Sequence, residues 1–388
     1  MRLLHVISGM DPTLGGVCQA VRTIIAGLAA EGVASEVASL DAPDAPWASA
    51  DPFITHALGP GRGPWQHSAR LIPWLTANFL RFDAVVLHGL WLYHGYAVRQ
   101  ALRSLPAPAA KPRLYVMPHG MLDPYFQQAE GRRLKAWRNW AYWKLIEGAV
   151  VNDAAGVLFT CETERLLAHQ PFAPYRPQRE LVVGLGVEEP PAYTPAMQTA
   201  FLAKCPALQG RPYLLFLSRL HEKKGVELLL QAYAAAAHPQ APALVIAGPG
   251  LDTPYGQRLR QLAAALPQAA DIFFPGMLTG DAKWGAFYGC DAFVLPSHQE
   301  NFGIAVVEAL ACSKPVLISN QVNIWREIEA AQGGLVAGDT LAGTTHLLQS
   351  WYQLPAPARH TMSTQALASY HKYFAVVPAS QKLHHALL

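Results

Sequence analysis

Residues 291–308 read DAFVLPSHQENFGIAVVE. Ala292–Leu295 is an apolar run of the length of a buried strand, and the residues after it have the proline, serine, asparagine and glycine of a loop. From about 304 to 311 the chain turns apolar again at helical length. Strand, loop and helix in that order form one unit of an α/β sheet. Two acids stand eight positions apart: Glu300 closes the loop, and Glu308 lies just over a turn inside the helix. A helix start offers unpaired N–H groups and the positive end of a dipole, which suits an anion such as a diphosphate. Gly303, with no Cβ, lets that backbone approach a ligand closely. On composition alone, an ordinary loop followed by a helix with one surface glutamate reads the same way.

Upstream, residues 214–225 read LLFLSRLHEKKG, a buried strand followed by a turn carrying Arg219, Lys223, Lys224 and Gly225. Cationic groups on such a turn suit negative charge developing on a leaving group, although basic turns are also common as solvated surface. Around these segments the pattern continues: strand 213–217, helix 226–236, strand 243–247, a glycine turn at 248–250, helix 255–266, strands 272–274 and 292–295, and strand 316–318. The N-terminal half has the same alternation. Leu3–Ser8 is a strand, Gly15-Gly16 a turn, 17–30 a helix and 37–40 a strand. Residues 42–66, rich in proline, glycine and tryptophan, read as irregular. Further strands are expected at 85–88, 114–117 and 156–160, with a helix at 162–169. Between the halves the prolines cluster, with Pro190, Pro191, Pro195, Pro206 and Pro212 in 190–212. The spacing therefore predicts domains at 1–189 and 211–358, a linker at 190–210, and a helical tail at 359–388. No short internal repeat is present.

A chain of 388 residues, 51% hydrophobic and 15% charged, is long enough for two cores and too apolar for extensive disorder. The formal net charge of +3 gives no case for nucleic acid as a partner, and no nucleic-acid recognition motif or P-loop occurs. Five scattered cysteines without a C-x-x-C read as a reduced, intracellular chain with no zinc site. The opening MRLLHVISGM reads as a strand, not a signal peptide. No run approaches the ~18 apolar residues that span a bilayer, so any membrane contact is expected to be peripheral.

Taken together, the segment SRL-x-x-x-KG (218–225), the pair Glu300…Glu308, IAGPG (246–250), FPGMLTGD (274–281) and DAFVLPS (291–297) resemble family 4 of the retaining glycosyltransferases. They cover nearly the whole C-terminal half. Weaker matches are Gly15-Gly16, HGLW (88–91) and PHGMLDP (118–124), and the set is similar to bacterial enzymes that build exopolysaccharide or lipopolysaccharide. The resemblance implies a GT-B fold, an α/β architecture of two Rossmann-like domains facing each other across a cleft. It implies that Arg219 and Lys224 bind the donor diphosphate, Glu300 the transferred sugar and Glu308 the ribose. Backbone groups of Gly276, Met277 and Leu278 would meet the base, and Asn301, Phe302, Gly303 and Ile304 would present amides to sugar and phosphate. Gly15 and Gly16 would let the first helix start face the same diphosphate. His119 would lie beside the reacting sugar and share the catalytic work with Arg219, Lys224 and Glu300.

The donor is then a UDP- or GDP-linked sugar, used as a substrate, with no resident cofactor. Retaining hydrolases use two carboxylates about 5 Å apart, and no such pair is evident on the N-terminal side. The resemblance implies instead attack on the leaving group's own face, with the departing phosphate helping to take the acceptor's proton. No D-x-D occurs, so metal independence is expected. His88 and Asp123 are candidate acceptor contacts, with Glu130 nearby, although Asp123 also reads as a helix N-cap. Residues 132–146, RRLKAWRNWAYWKLI, carry five basic residues, three tryptophans and no acid. Leu134, Trp137, Ala141 and Leu145 share one helix face, extended by Trp140 and Trp143. That face reads either as contact with an anionic membrane, for a cytoplasmic enzyme working at the inner membrane face, or as core packing. Two rival functions use the same fold: a nucleotide-sugar epimerase or hydrolase, and a non-catalytic nucleotide-sugar-binding subunit. The tail 359–388 is expected to cross back onto the first domain.

Overall fold

The computed structural model describes residues 1–47, 50–106, 111–128, 133–208 and 210–388. The chain forms two units, Met1–Gly186 with Val376–Leu388, and Val187–Ala375.

The first unit holds seven parallel strands: β1 Arg2–Ile7, β2 Ala34–Ser39, β3 Ile54–Ala57, β4 Ala84–His88, β5 Arg113–Met117, β6 Gly156–Phe159 and β7 Glu180–Val182. Their order is β3-β2-β1-β4-β5-β6-β7. Parallel pairing requires crossover helices that cover the sheet, so central strands are buried along their length. Every residue of β4 (AVVLH) is buried. The crossover helix Gly16–Ala30 buries Cys18, Val21, Ile25 and Leu28, a stripe at helical spacing.

The second unit holds β8 Tyr213–Leu217, β9 Ala243–Ala247, β10 Ile272–Gly276, β11 Ala292–Leu295, β12 Val316–Ser319 and β13 Gly334–Ala337, in the order β10-β9-β8-β11-β12-β13. In both sheets the order of strand addition reverses beside the first strand, between β1 and β4 and between β8 and β11. Such switch points open a crevice at the carboxyl ends of the strands, where α/β proteins bind ligands. The parallel register Ala292↔Leu214 and Phe293↔Leu215 sets the loops leaving β8 and β11 side by side. Two units of this kind in one chain are the GT-B fold.

Three expectations need correction. Residues 42–66 are not wholly irregular, because Ile54–Ala57 pairs with β2 as an edge strand. The segment 190–210 is not a free linker. Pro195 opens the helix Pro195–Leu202, where a missing N–H costs nothing. Met197 and Phe201, one turn apart, are buried, and a Cβ on Gly285 would stand 2.0 Å from the Met197 carbonyl, so the backbones touch. The boundary lies instead at Gly186. The second unit also extends past 358, since the helix Ala356–Ser369 stays with it, and only Val376–Leu388 belongs to the first unit. That last helix lies against Gly16–Ala30, where Gly27 leaves room for Ser380. Arg113 donates to the Leu388 carbonyl at 2.8 Å. All five cysteines are free and buried.

Candidate functional site

In the second unit the two loops at the switch point are tied together residue by residue. Gly225 has φ 68, and a Cβ there would stand 2.1 Å from the Pro296 carbonyl. Only glycine meets both demands, and its turn therefore seats directly on the loop that follows β11. Ser297 Oγ and the His298 amide both donate to the Lys223 carbonyl at 2.8 Å. With the backbones locked, the Lys224 ammonium hydrogen-bonds the Glu300 carboxylate, their side chains 15% and 21% exposed. Glu300 is clamped on its other side: its amide donates to Gln321 and its carbonyl accepts from Asn323, both at 2.9 Å. A half-buried pair of this kind contributes little net stability, because desolvation offsets the attraction. Its effect is to hold two charged ends in one place.

Gly303, at φ 80, caps the helix Ile304–Ala311, and its Cα sits beside the Glu300 side chain, where a Cβ would meet Glu300 Cγ at 3.3 Å. Phe302 is buried and packs edge-on against Phe374, so this position anchors the loop in the core. Asn301 accepts from Asn323 Nδ2 at 3.4 Å. Glu308, inside the helix, is paired with Lys283 at 2.6 Å. Burial raises its pKa above the usual carboxylate range, opposed by the charge and hydrogen bond of Lys283. Nothing in the sequence pattern singled out Lys283, which comes from the separate helix Gly280–Gly289. Near the start of that helix, Gly276 is at φ 77, Met277 is exposed and Leu278 is buried. Arg219 is exposed and lines a groove of about 630 Å³ with His221, Tyr255 and Arg258. The structure thus joins Lys224 to Glu300 and Glu308 to Lys283, while Arg219 borders a neighbouring groove.

In the first unit Gly15, at φ 91, and Gly16 open the helix Gly16–Ala30, and among the described residues nothing beyond their own chain neighbours and helix backbone stands within 4 Å of either would-be Cβ. That helix start is open to an anion. His119 follows β5 in the left-handed region at φ 52, an uncommon backbone for a non-glycine residue. The corner is held by buried Glu164. One of its oxygens accepts from the Gly120 amide at 2.5 Å, and the other from the Thr160 amide and hydroxyl at 2.7 and 2.6 Å.

His88, a candidate acceptor contact, ends β4 inside the first sheet. It is 1% exposed, and both ring nitrogens are engaged, with His5 at 2.9 Å and His119 at 3.0 Å. Asp123 is buried and accepts from the Tyr125 amide at 2.8 Å, so it caps a short helix, Tyr125–Gln128. Glu130 and Arg132 lie outside the described residues. At the β1–β4 switch point a cavity of about 150 Å³ is lined by Ser8, Gly9, Cys18, His88, His94 and Met121, among others.

One further feature was invisible in the sequence pattern. Glu147 is fully buried, and neither oxygen has a well-aligned hydrogen-bond partner among the described residues. Burial, opposed by the Trp91 amide, pushes its pKa up to about 8, so it is mainly protonated at neutral pH. The basic aromatic segment divides into the helix Arg133–Tyr142 and a π-turn, Trp143–Glu147. Leu134, Trp137, Trp140 and Leu145 are 82%, 67%, 50% and 80% exposed, whereas Trp143 is buried and stacks on Phe172. Trp143 therefore does not extend the exposed face. Among the described residues no helix is long and apolar enough to cross a membrane.

The geometry agrees with comparison to known proteins. Residues 198–366 match the family described as "Glycosyl transferases group 1", and residues 15–186 match "Glycosyl transferase 4-like domain". Each half of the chain thus resembles a glycosyltransferase family. A D-inositol 3-phosphate glycosyltransferase of Geodermatophilus obscurus is 34% identical over 169 residues, which are 41% of this chain and 34% of the relative. A glycosyltransferase of Methanocaldococcus jannaschii is 31% identical over 143 residues, 36% of each chain. The matches span about a third of the length of these curated relatives. The structure of Anabaena HepE with UDP and glucose covers 100% of this chain and 99% of its own, with TM-score 0.75 and 17% identity. That of WaaG, a glycosyltransferase involved in lipopolysaccharide biosynthesis, covers 98% of each, with TM-score 0.65 and 17% identity. At such identity these two likenesses speak for the fold.

Proposed function

We propose that this chain is a retaining glycosyltransferase that moves a sugar from a UDP-linked donor to a glycan or lipid-linked acceptor in bacterial surface polysaccharide synthesis. The observation that carries the reading is the Lys224–Glu300 pair beside the Gly303 helix start, at the switch point of the second sheet. A cation, a carboxylate and free helix amides in one place match a sugar diphosphate group by group. The UDP and glucose held by HepE support UDP as the nucleotide. WaaG, involved in lipopolysaccharide biosynthesis, supports the polysaccharide setting.

In this reading Glu308 accepts hydrogen bonds from ribose hydroxyls and Glu300 holds a hydroxyl of the sugar. The anomeric C–O bond breaks and its electron pair leaves on the diphosphate oxygen. Arg219, Lys224 and the amides around Gly303 meet that charge. The acceptor hydroxyl forms the new C–O bond on the same face and passes its proton to the departing phosphate. Because side chains and backbone dipoles neutralise the diphosphate, no metal or resident cofactor is required. The exposed apolar row from Leu134 to Leu145, flanked by Lys135 and Arg138, rests on an anionic membrane at the cytoplasmic face and brings the first unit to a lipid-linked acceptor.

A thermal-shift panel of UDP-, GDP- and ADP-sugars in EDTA, on the wild type and Glu308→Ala, tests the donor site. UDP-sugars at 100 times their dissociation constant are expected to stabilise the wild type by about 2.7 kcal/mol and the variant far less. Stabilisation that needs a divalent cation, or that ignores Glu308, refutes the assignment.

A further inference from the structure

Three histidines on adjacent strands of the first sheet form a continuous chain. His5 lies within β1, His88 ends β4, and His119 follows β5, with β4 between the other two strands. His5 Nδ1 meets His88 Nε2 at 2.9 Å, and His88 Nδ1 meets His119 Nε2 at 3.0 Å. The hydrogen-bonded rings lie nearly in one plane, with interplanar angles of 25° and 26° and centroid separations of 5.1 and 5.3 Å, as in-line N–H···N bonds require. His94 adds a third tie, its Nε2 donating to the His88 carbonyl at 2.9 Å. Nε2 of His5 is buried without a hydrogen-bond partner among the described residues.

A neutral imidazole carries one N–H and one lone pair, so the chain can be protonated in only two consistent ways. In one, every ring carries its proton on Nδ1: His5 donates to His88, His88 donates to His119, and His119 keeps a free Nδ1–H. In the other, every proton sits on Nε2, the bonds run in the opposite direction, and His5 is left with an N–H facing the apolar core. Orphaned buried N–H groups are rarer than under-satisfied acceptors. The first arrangement leaves only a bare lone pair on His5 and is favoured. Burial also holds all three rings neutral, lowering His5 to about 3, His119 to about 4 and His88 well below its ordinary value.

We infer that His5 and His88 are positioning residues that fix His119 as the Nδ1–H tautomer. The ring then presents a hydrogen-bond donor, not a base, to an oxygen of the bound sugar or its leaving phosphate. This rests on the transferase reading only for what the donor meets; the tautomer itself is a property of the free protein.

The first test is therefore independent of activity. Long-range ¹H–¹⁵N correlation spectra of histidine-labelled wild-type protein are expected to show Nδ1 of His119 protonated and Nε2 bare. The second test uses His5→Leu and His5→Asn. Leucine cannot donate to His88, whereas the asparagine amide occupies the place of Nδ1 and can. His5→Leu is expected to lose the single His119 tautomer and to lower kcat about tenfold, the size of one lost hydrogen bond in the transition state. UDP affinity should stay unchanged, and His5→Asn should recover most of the rate. A wild-type His119 protonated on Nε2, or equal rates for the leucine and asparagine variants, overturns the relay. Failure to find any transfer, with the Nδ1–H spectrum intact, would count against the transferase reading and leave the relay standing.

Discussion

Glu300→Ala is expected to lower the rate of sugar transfer by about 10²–10³, with a similar loss for Lys224→Ala. The two residues touch each other and, in the proposed reading, the same end of the substrate. Removing the carboxylate takes away a partner of the sugar and frees Lys224 from its fixed position. Removing the ammonium leaves the departing diphosphate without its nearest cation. Because they act as a unit, the double variant should cost little more than either single one. The loss should appear in kcat more than in affinity for free UDP, whose ribose the proposal assigns to Glu308. The pair is half exposed at most and its backbones are anchored independently, by Gly225 against Pro296 and by the Gln321 and Asn323 hydrogen bonds. Circular dichroism and melting temperature should therefore stay close to wild type. Rates within tenfold of wild type for both variants would remove this pair from the mechanism.

Trp137→Ala combined with Leu145→Ala is expected to weaken binding to vesicles containing phosphatidylglycerol by about 10²–10³. Fully burying one such side chain is worth about 1.5–3 kcal/mol, and both are mostly exposed in the free protein. The attraction should fall with salt and with replacement of anionic by neutral lipid, since each basic residue near such a surface adds about 1 kcal/mol. Lys144 contributes less than its sequence position implies, because its ammonium donates to the Ala173 carbonyl at 2.5 Å. Surface truncations of this kind leave stability within about 0.5 kcal/mol, so flotation with vesicles separates binding from folding. Equal flotation of wild type and double variant, or no flotation of either, would show that this face does not meet a membrane.

The second sheet and the turns that carry its candidate site were readable because their signals are local. Strand, turn and helix follow one another within 214–225 and within 291–308, and each turn carries its own charged residues. The first unit and the junction between the units were harder for identifiable reasons. Ile54–Ala57 is four residues long and borrows its regularity from β2, in a stretch whose prolines and tryptophans read as loop. The prolines of 190–212 read as a hinge, yet Pro195 starts a helix.

The relay and the ion pairs could not be read at all, because their members meet only through folding. His5 and His88 are 83 positions apart, and Lys283 and Glu308 are 25 apart on different helices. Sequence placed His88 at the acceptor because it closes a strand, as ligand-binding residues do. What it could not show is that both ring nitrogens are already taken. Glu147 gives no sign of its burial either, since it directly follows a basic segment.

The central claim is transfer with retained configuration, and its most direct measurement is ¹H NMR of the reaction mixture. Purified protein, a UDP-sugar and a lipid-linked or oligosaccharide acceptor would be followed from the first turnover in the presence of EDTA. A product whose new anomeric proton has the configuration of the donor, formed only when acceptor is present, is the result predicted. A product of opposite configuration, or free sugar released equally well without acceptor, would contradict it.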